Sequence, residues 1–147
     1  MDETADHELA ATISRWVDDP ESDVVYAEKV EERWAIRMRQ TVREATTVWW
    51  RVGDRSVTAE AYLIPAPELA LEAYRLALVR NMVSFRVWFA LDREGALVLR
   101  ARIPIEPAAP DRLGRELELT LGEIYEKVEI SFRHLLAAAF SAREKNP

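Results

Sequence analysis

The stretch from residue 64 to residue 105 constrains the fold most, because the period of its apolar residues changes once within it. Apolar residues recur at helical spacing over residues 67–83 and leave only a narrow polar stripe, which predicts a largely buried helix. They then alternate over residues 85–91 and 97–105, on either side of a loop that contains Gly95. This pattern predicts an antiparallel hairpin, with a positive φ at the glycine.

Three earlier runs, at residues 33–39, 47–52 and 56–63, also alternate and predict a three-stranded meander. A first helix is predicted over residues 4–17, followed by an acidic, proline-containing linker over residues 18–23. A last helix is predicted from Asp111 to about residue 143. The expected fold is α+β and two-layered, with a five-stranded antiparallel sheet, helices on one face and the order α-β-β-β-α-β-β-α.

The last predicted helix is longer than a small five-stranded sheet is wide. We expect it to bend near Gly122 or to pack its excess length on another subunit. A homodimer is therefore predicted, with its contact either on the outer side of the second helix or on the last helix. The residues predicted for the contact on the last helix are Tyr125, Phe132, Leu136 and Phe140.

Composition limits the classes of protein and of site. The chain has no Cys, so disulfides and Cys-ligated metals are excluded, and no apolar run reaches the roughly 18 residues of a membrane span. The acidic start does not follow the plan of a signal peptide, and we expect a cytoplasmic protein. Residues 1–23 are interpreted as an acidic helix and linker, and residues 24–147 as a single α+β domain.

Residues with catalytic or metal-binding chemistry are few. His7 has Glu3 four residues before it but no third ligand, and His134 has no carboxylate one turn away. Ser131 and Ser141 lie on a predicted helix and not at a nucleophile elbow. Four glycines form no phosphate-binding loop. We therefore expect a non-enzymatic protein without cofactor or metal, although an enzyme with an unrecognised site remains an alternative.

The central part of this acidic chain is basic. Residues 1–32 have a net charge of −9 and residues 33–105 a net charge of +5, and every cation in the second segment is Arg. If the aliphatic strand faces point toward the helices, the opposite face carries arginines and aromatic residues. The residues predicted to bind a partner there are Arg37, Arg39, Trp49, Arg51, Tyr62, Arg86, Trp88, Arg100 and Arg102.

Three interpretations of this face remain open. It is a solvated sheet surface, a site for a protein or peptide segment, or a site where single-stranded nucleic acid stacks on the aromatic rings. The net charge of −6 argues against nucleic acid. The acidic residues 1–32 could also lie across the face, but the apolar Leu9, Ile13 and Trp16 favour packing of the first helix elsewhere.

Several short motifs resemble the YbjN-like family. They are YLIPAP at residues 62–67, a helix ending in Arg80-Asn81, a strand ending in LDREG at residues 91–95, and FRHLL at residues 132–136. The resemblance covers roughly residues 20–140. It implies a fold similar to that of type III secretion chaperones, and a chaperone-like or adaptor-like dimer that holds a segment of a client protein. It implies neither a secretion role nor any catalytic residue.

Overall fold

The computed structural model describes the backbone of residues 3–145 and the side chains of residues 3–140. Within that part the chain is an α+β protein with three α-helices and one antiparallel sheet of six strands. The helices are α1 (Glu3–Asp18), α2 (Ala70–Arg80) and α3 (Asp111–Lys145), and a 3₁₀ turn, Asn81–Val83, follows α2. The strands are β1 (Val24–Val30), β2 (Arg33–Arg39), β3 (Ala45–Val52), β4 (Ser56–Ile64), β5 (Val87–Leu91) and β6 (Leu97–Pro104).

The strands are arranged in the order β1-β2-β3-β4-β6-β5, and every neighbouring pair is antiparallel. The predicted meander and hairpin are both present, but the prediction of five strands is wrong because β1 was missed. β1 lies at the edge of the sheet and buries only Val24, so its sequence lacks apolar alternation. The two-residue turn after it, Glu31-Glu32, lacks the Gly or Asn that usually announces a hairpin.

One core joins the three helices to the aliphatic face of the sheet. From α1 the side chains of Leu9, Ile13 and Trp16 are buried in it, and the Trp16 ring lies 5.7 Å from that of Trp50 on β3. The first helix therefore packs on the helical side of the sheet and contributes to the same core as residues 24–140. Residues 1–2 and 146–147, at the ends of the two predicted segments, lie outside the described part of the chain.

The expectation that α2 is largely buried is wrong for the single chain. Only Ala73 and Ala77 are buried, and they lie on the side that packs toward α3 and β5. The opposite side of α2 and the residues that follow it face outward, where no other described element of the chain packs. We call this surface the α2 patch, and it consists of Leu71, Leu78, Val79, Met82, Val83 and Phe85.

The predicted bend at Gly122 is also wrong. Among the described residues of α3, the backbone leaves helical geometry at Phe140, with φ −131° and ψ 18°. Just before this residue, the carbonyl of Ala139 accepts a hydrogen bond of 2.9 Å from the N–H of Leu69. The segment that leads into α2 thus bonds to α3 at the point where the long helix deviates.

Candidate functional site

The register of the sheet places the predicted aromatic and basic residues side by side on the face turned away from the helices, which we call the open face. Trp49 lies opposite Glu60, Glu60 opposite Arg100, and Arg100 opposite Trp88. Because neighbouring strands are about 4.8 Å apart, the two tryptophans of this row are separated by roughly 14 Å. The row crosses four strands, so its geometry is set by the sheet and not by a loop.

Eight of the nine predicted partner-binding residues belong to the open face. They are Arg37, Arg39, Trp49, Arg51, Tyr62, Trp88, Arg100 and Arg102. Arg33 was missed, although it alternates with the same apolar residues as Arg37 and so carries the same sequence signal. Tyr26 and Glu28 were missed because they lie on β1, and they share the open face with Arg37 and Ala35.

On the β2–β3 side of the open face the cations have partners within the chain. The guanidinium of Arg33 lies 4.4 Å from the centre of the half-buried Trp49 ring, a cation–π contact. Arg37 pairs with Glu44 at 3.4 Å, and both side chains are exposed, so the pair contributes little to stability. Arg39 donates a hydrogen bond to the carbonyl of Ser22 at 3.1 Å.

On the β4–β6–β5 side two arginines form no ion pair with the described residues. Arg100 and Arg102 are exposed, and no carboxylate of the described residues lies within ion-pair distance of either. Tyr62 and Trp88 share this part of the face and are 51% and 44% exposed. Exposed arginine beside exposed aromatic rings is the composition of protein interfaces, since it offers both charge-assisted hydrogen bonds and apolar contact.

The ninth predicted residue, Arg86, lies elsewhere, and its assignment to the open face is wrong. It precedes β5, and its Nε donates a hydrogen bond of 2.9 Å to Glu116 on α3. This hydrogen bond lowers the pKa of the Glu116 carboxyl and raises the pKa of the Arg86 guanidinium. Both groups are therefore charged at neutral pH, and Arg86 ties the start of β5 to the helical layer.

The predicted dimer contact on α3 is largely occupied by the chain itself. Tyr125, Phe132 and Phe140 are half-buried against the core, and the guanidinium of Arg43 lies 4.9 Å from the centre of the Phe132 ring. Leu136 is 38% exposed. The α2 patch exposes far more apolar surface, with side chains between 56% and 86% exposed.

His134 on α3 is engaged by Arg80 of α2. The Nδ1 of His134 is 2.7 Å from Nη2 of Arg80, and because arginine only donates, the histidine accepts. The same arginine donates to the Ser131 hydroxyl at 2.7 Å, so both contacts hold α2 to α3. Among the described residues no group of three or more His, Cys, Asp or Glu side chains is placed to hold a metal ion.

In the described part of the chain, each helix is either too short or too polar to cross a bilayer. A comparison with protein-family models finds no match to this chain, and a search of curated proteins finds none either.

Proposed function

We propose that this chain is a cytoplasmic, non-enzymatic protein-binding module that works as a chaperone-like or adaptor-like homodimer. Its open face holds an extended, acidic segment of a client protein. The resemblance of its motifs to the YbjN-like family, whose fold is similar to that of type III secretion chaperones, supports this proposal.

The observation that carries the proposal is the pair of uncommitted cations, Arg100 and Arg102, beside the exposed rings of Tyr62 and Trp88. Acidic side chains of a client would pair with the two guanidinium groups, while its alternate apolar side chains cover the rings. The row from Trp49 to Trp88 is long enough for about four extended residues.

We place the dimer contact on the α2 patch. At roughly 100 Å² a side chain, its six residues offer about 600 Å² per copy, or about 1,200 Å² for a symmetric pair. That total is at the lower end of stable protein interfaces, and the patch is at the upper end of the apolar area that a typical monomer exposes. A second copy buries the patch on both partners at once, because a twofold contact uses the same surface twice.

The client proposal is tested with a fluorescein-labelled peptide of about 12 residues that alternates Glu and Val, measured by fluorescence anisotropy. A peptide that alternates Lys and Val is the control for charge, and labelled oligouridine tests the nucleic-acid alternative. The variant Arg37→Glu with Arg100→Glu reverses two charges of the open face. Its matched control, Arg93→Glu with Arg115→Glu, reverses two exposed charges on a hairpin turn and on α3.

We expect the Glu-Val peptide to bind wild type and the control variant alike, and the open-face variant at least tenfold more weakly. Equal binding of the Glu-Val and Lys-Val peptides, or equal loss in both variants, would contradict the proposal. Preferential binding of oligouridine with a steep salt dependence would favour the nucleic-acid alternative.

The dimer is tested by light scattering on wild type, on Leu78→Lys with Met82→Lys, and on Val17→Lys with Val25→Lys. The second pair of residues is exposed outside the α2 patch and controls for added charge. We expect only the α2 variant to be monomeric. A monomeric wild type at tens of micromolar would rule out the dimer without affecting the client proposal.

A further inference from the structure

A cleft of about 620 Å³ opens where β6 ends. The start of α1, the start of α3 and the segment between β6 and α3 form its walls, together with the residues at the start of β5. Its apolar lining includes Phe85, Trp88, Ile103, Ile105 and Leu113. The volume lies within the range of about 300–1,000 Å³ that is usual for ligand sites, and the cleft adjoins the α2 patch, with which it shares Phe85.

Most charges around the cleft are already compensated. Arg86 pairs with Glu116 at 2.9 Å, and Arg112 pairs with Glu106 at 3.0 Å. A third lining carboxylate, Glu8, lies 4.0 Å from Arg15, and Asp111 lies in the first turn of α3, where the helix dipole favours a negative charge.

Arg102 is the cation of the lining that has no carboxylate within ion-pair distance among the described residues. It belongs to the open face as well, and so does Trp88. The cleft and the open face are thus continuous through these two side chains. A segment that lies along the open face reaches the cleft at Trp88 and Arg102.

We propose that the cleft is an anchor pocket for an aromatic side chain of the client segment, with a carboxylate next to it that pairs with Arg102. This inference rests on the proposed function and adds a specificity rule to it. Binding sites for proteins commonly depend on one aromatic anchor in a desolvated pocket, while the surrounding contacts contribute little. The apolar walls supply the pocket, and the compensated ion pairs leave Arg102 to select an acidic neighbour.

The test uses the capped dipeptide acetyl-Phe-Asp-amide, titrated into uniformly ¹⁵N-labelled full-length protein and followed by NMR. Acetyl-Ala-Asp-amide lacks the anchor, and acetyl-Phe-Lys-amide lacks the carboxylate. The indole N–H of Trp88 reports on the cleft, and that of Trp49 reports on the open face outside it. We expect acetyl-Phe-Asp-amide to shift the Trp88 signal, with both controls binding about tenfold more weakly. Equal affinity for the Phe and Ala peptides, or shifts confined to Trp49, would overturn the proposal.

Three variants test whether the dipeptide binds in the cleft. Ala109→Trp fills the cleft, whereas Ala108→Trp places the same ring on an exposed neighbour that does not line it. Arg102→Gln removes the cation from an exposed position and so provides a variant whose folding is not at risk. We expect Ala109→Trp and Arg102→Gln to weaken binding of acetyl-Phe-Asp-amide about tenfold, and Ala108→Trp to bind like wild type. Unchanged binding in Ala109→Trp would overturn the location.

The two proposals fail separately. If the Glu-Val peptide binds the open face but acetyl-Phe-Asp-amide does not bind the cleft, the anchor pocket is wrong and the client face stands. If neither the Glu-Val peptide nor any other acidic segment binds, the client function fails, and the anchoring role fails with it.

Discussion

The side-chain amide of Asn81 pairs with the backbone of Phe89 at the outer edge of β5. Its Nδ2 donates to the Phe89 carbonyl at 3.0 Å, and its Oδ1 accepts from the Phe89 N–H at 2.8 Å. Two residues earlier on the same edge, the Val87 N–H donates to the carboxylate of Glu123 at 2.7 Å. The side chains of Asn81 and Glu123 thus form hydrogen bonds with backbone groups that an edge strand would otherwise present to another chain. These contacts hinder strand addition at β5, which favours the open face over this edge as the site for the proposed client segment.

We predict that Asn81→Ala lowers the free energy of unfolding by about 1–3 kcal/mol, because it removes both hydrogen bonds and leaves partly buried backbone groups unpaired. Urea denaturation measures the change. Ser84→Ala is the control, since that hydroxyl makes only a long contact of 3.4 Å to the same amide. Hydrogen exchange at the Phe89 amide should accelerate, while the Val87 amide remains protected by Glu123. Equal acceleration at both amides would show that the whole edge, and not this pair, has loosened.

A second prediction concerns the turn between β1 and β2. Glu31 has a φ of 58°, and among the described residues it is the one non-glycine with a positive φ. That region costs an ordinary L-residue roughly 1 kcal/mol, and glycine avoids the cost. We expect Glu31→Gly to raise the midpoint of urea unfolding, and Glu32→Gly, one residue further along the same turn, to lower it or leave it unchanged. Equal effects of the two variants would mean that charge removal, and not backbone geometry, governs this turn.

A third prediction concerns Glu129 on α3, whose carboxylate accepts hydrogen bonds from the loop between β2 and β3. Burial alone would raise the pKa of its carboxyl, but hydrogen bonds from Thr41, Gln40 and Val42 outweigh burial and lower it. The unfolded state, with its higher pKa, then takes up a proton before the folded state does. This carboxylate thus contributes stability above about pH 5, and that contribution is lost as the pH falls through the depressed pKa.

We expect Glu129→Gln to be less stable than wild type at pH 7 and to lose less stability between about pH 5 and pH 3. Thermal unfolding across that range is the measurement. Glu118→Gln, at an exposed position on the same helix, is the matched control and should follow the wild-type profile. A parallel loss in wild type and Glu129→Gln would assign the acid sensitivity to other carboxylates.

A fourth prediction uses the two glycines of α3. A Cβ added at Gly122 would meet nothing within 4 Å, so Gly122→Ala should stabilise the protein by about 1 kcal/mol through helix propensity. A Cβ at Gly114 would lie 2.6 Å from Oε1 of Glu8, and that side chain would have to move. We expect a smaller gain or a loss for Gly114→Ala in the same denaturation experiment. A loss at Gly122 would indicate that the helix needs flexibility there after all.

Several features followed from the sequence because their causes are local. Alternating apolar residues define a strand without regard to its neighbours, and five of the six strands were recognised in this way. The loop before β6 needs a positive φ, and Gly95 has one of 85°. Eight of the nine predicted residues share the open face because alternation fixes which side of a strand each residue occupies.

The rest depended on what packs against each residue, and that is decided by residues far away in the chain. Arg86 alternates with apolar residues just as the open-face arginines do, yet its side chain forms a hydrogen bond with Glu116, thirty residues later, in the helical layer. Asn81 caps the end of α2 with ordinary helical angles, φ −63° and ψ −20°, and its side chain forms hydrogen bonds with the backbone of Phe89 on β5, a contact that its local sequence does not indicate.

The sequence by itself determined the α+β class, the antiparallel sheet and the chemical character of the open face, because local period and composition suffice for these. Only the tertiary structure decided that β1 joins the sheet as an edge strand, that the outer side of α2 is exposed, and that a cleft forms beside Trp88 and Arg102. An apolar residue tends to be buried, but whether a given surface is covered depends on which helices and strands of the whole chain pack against it.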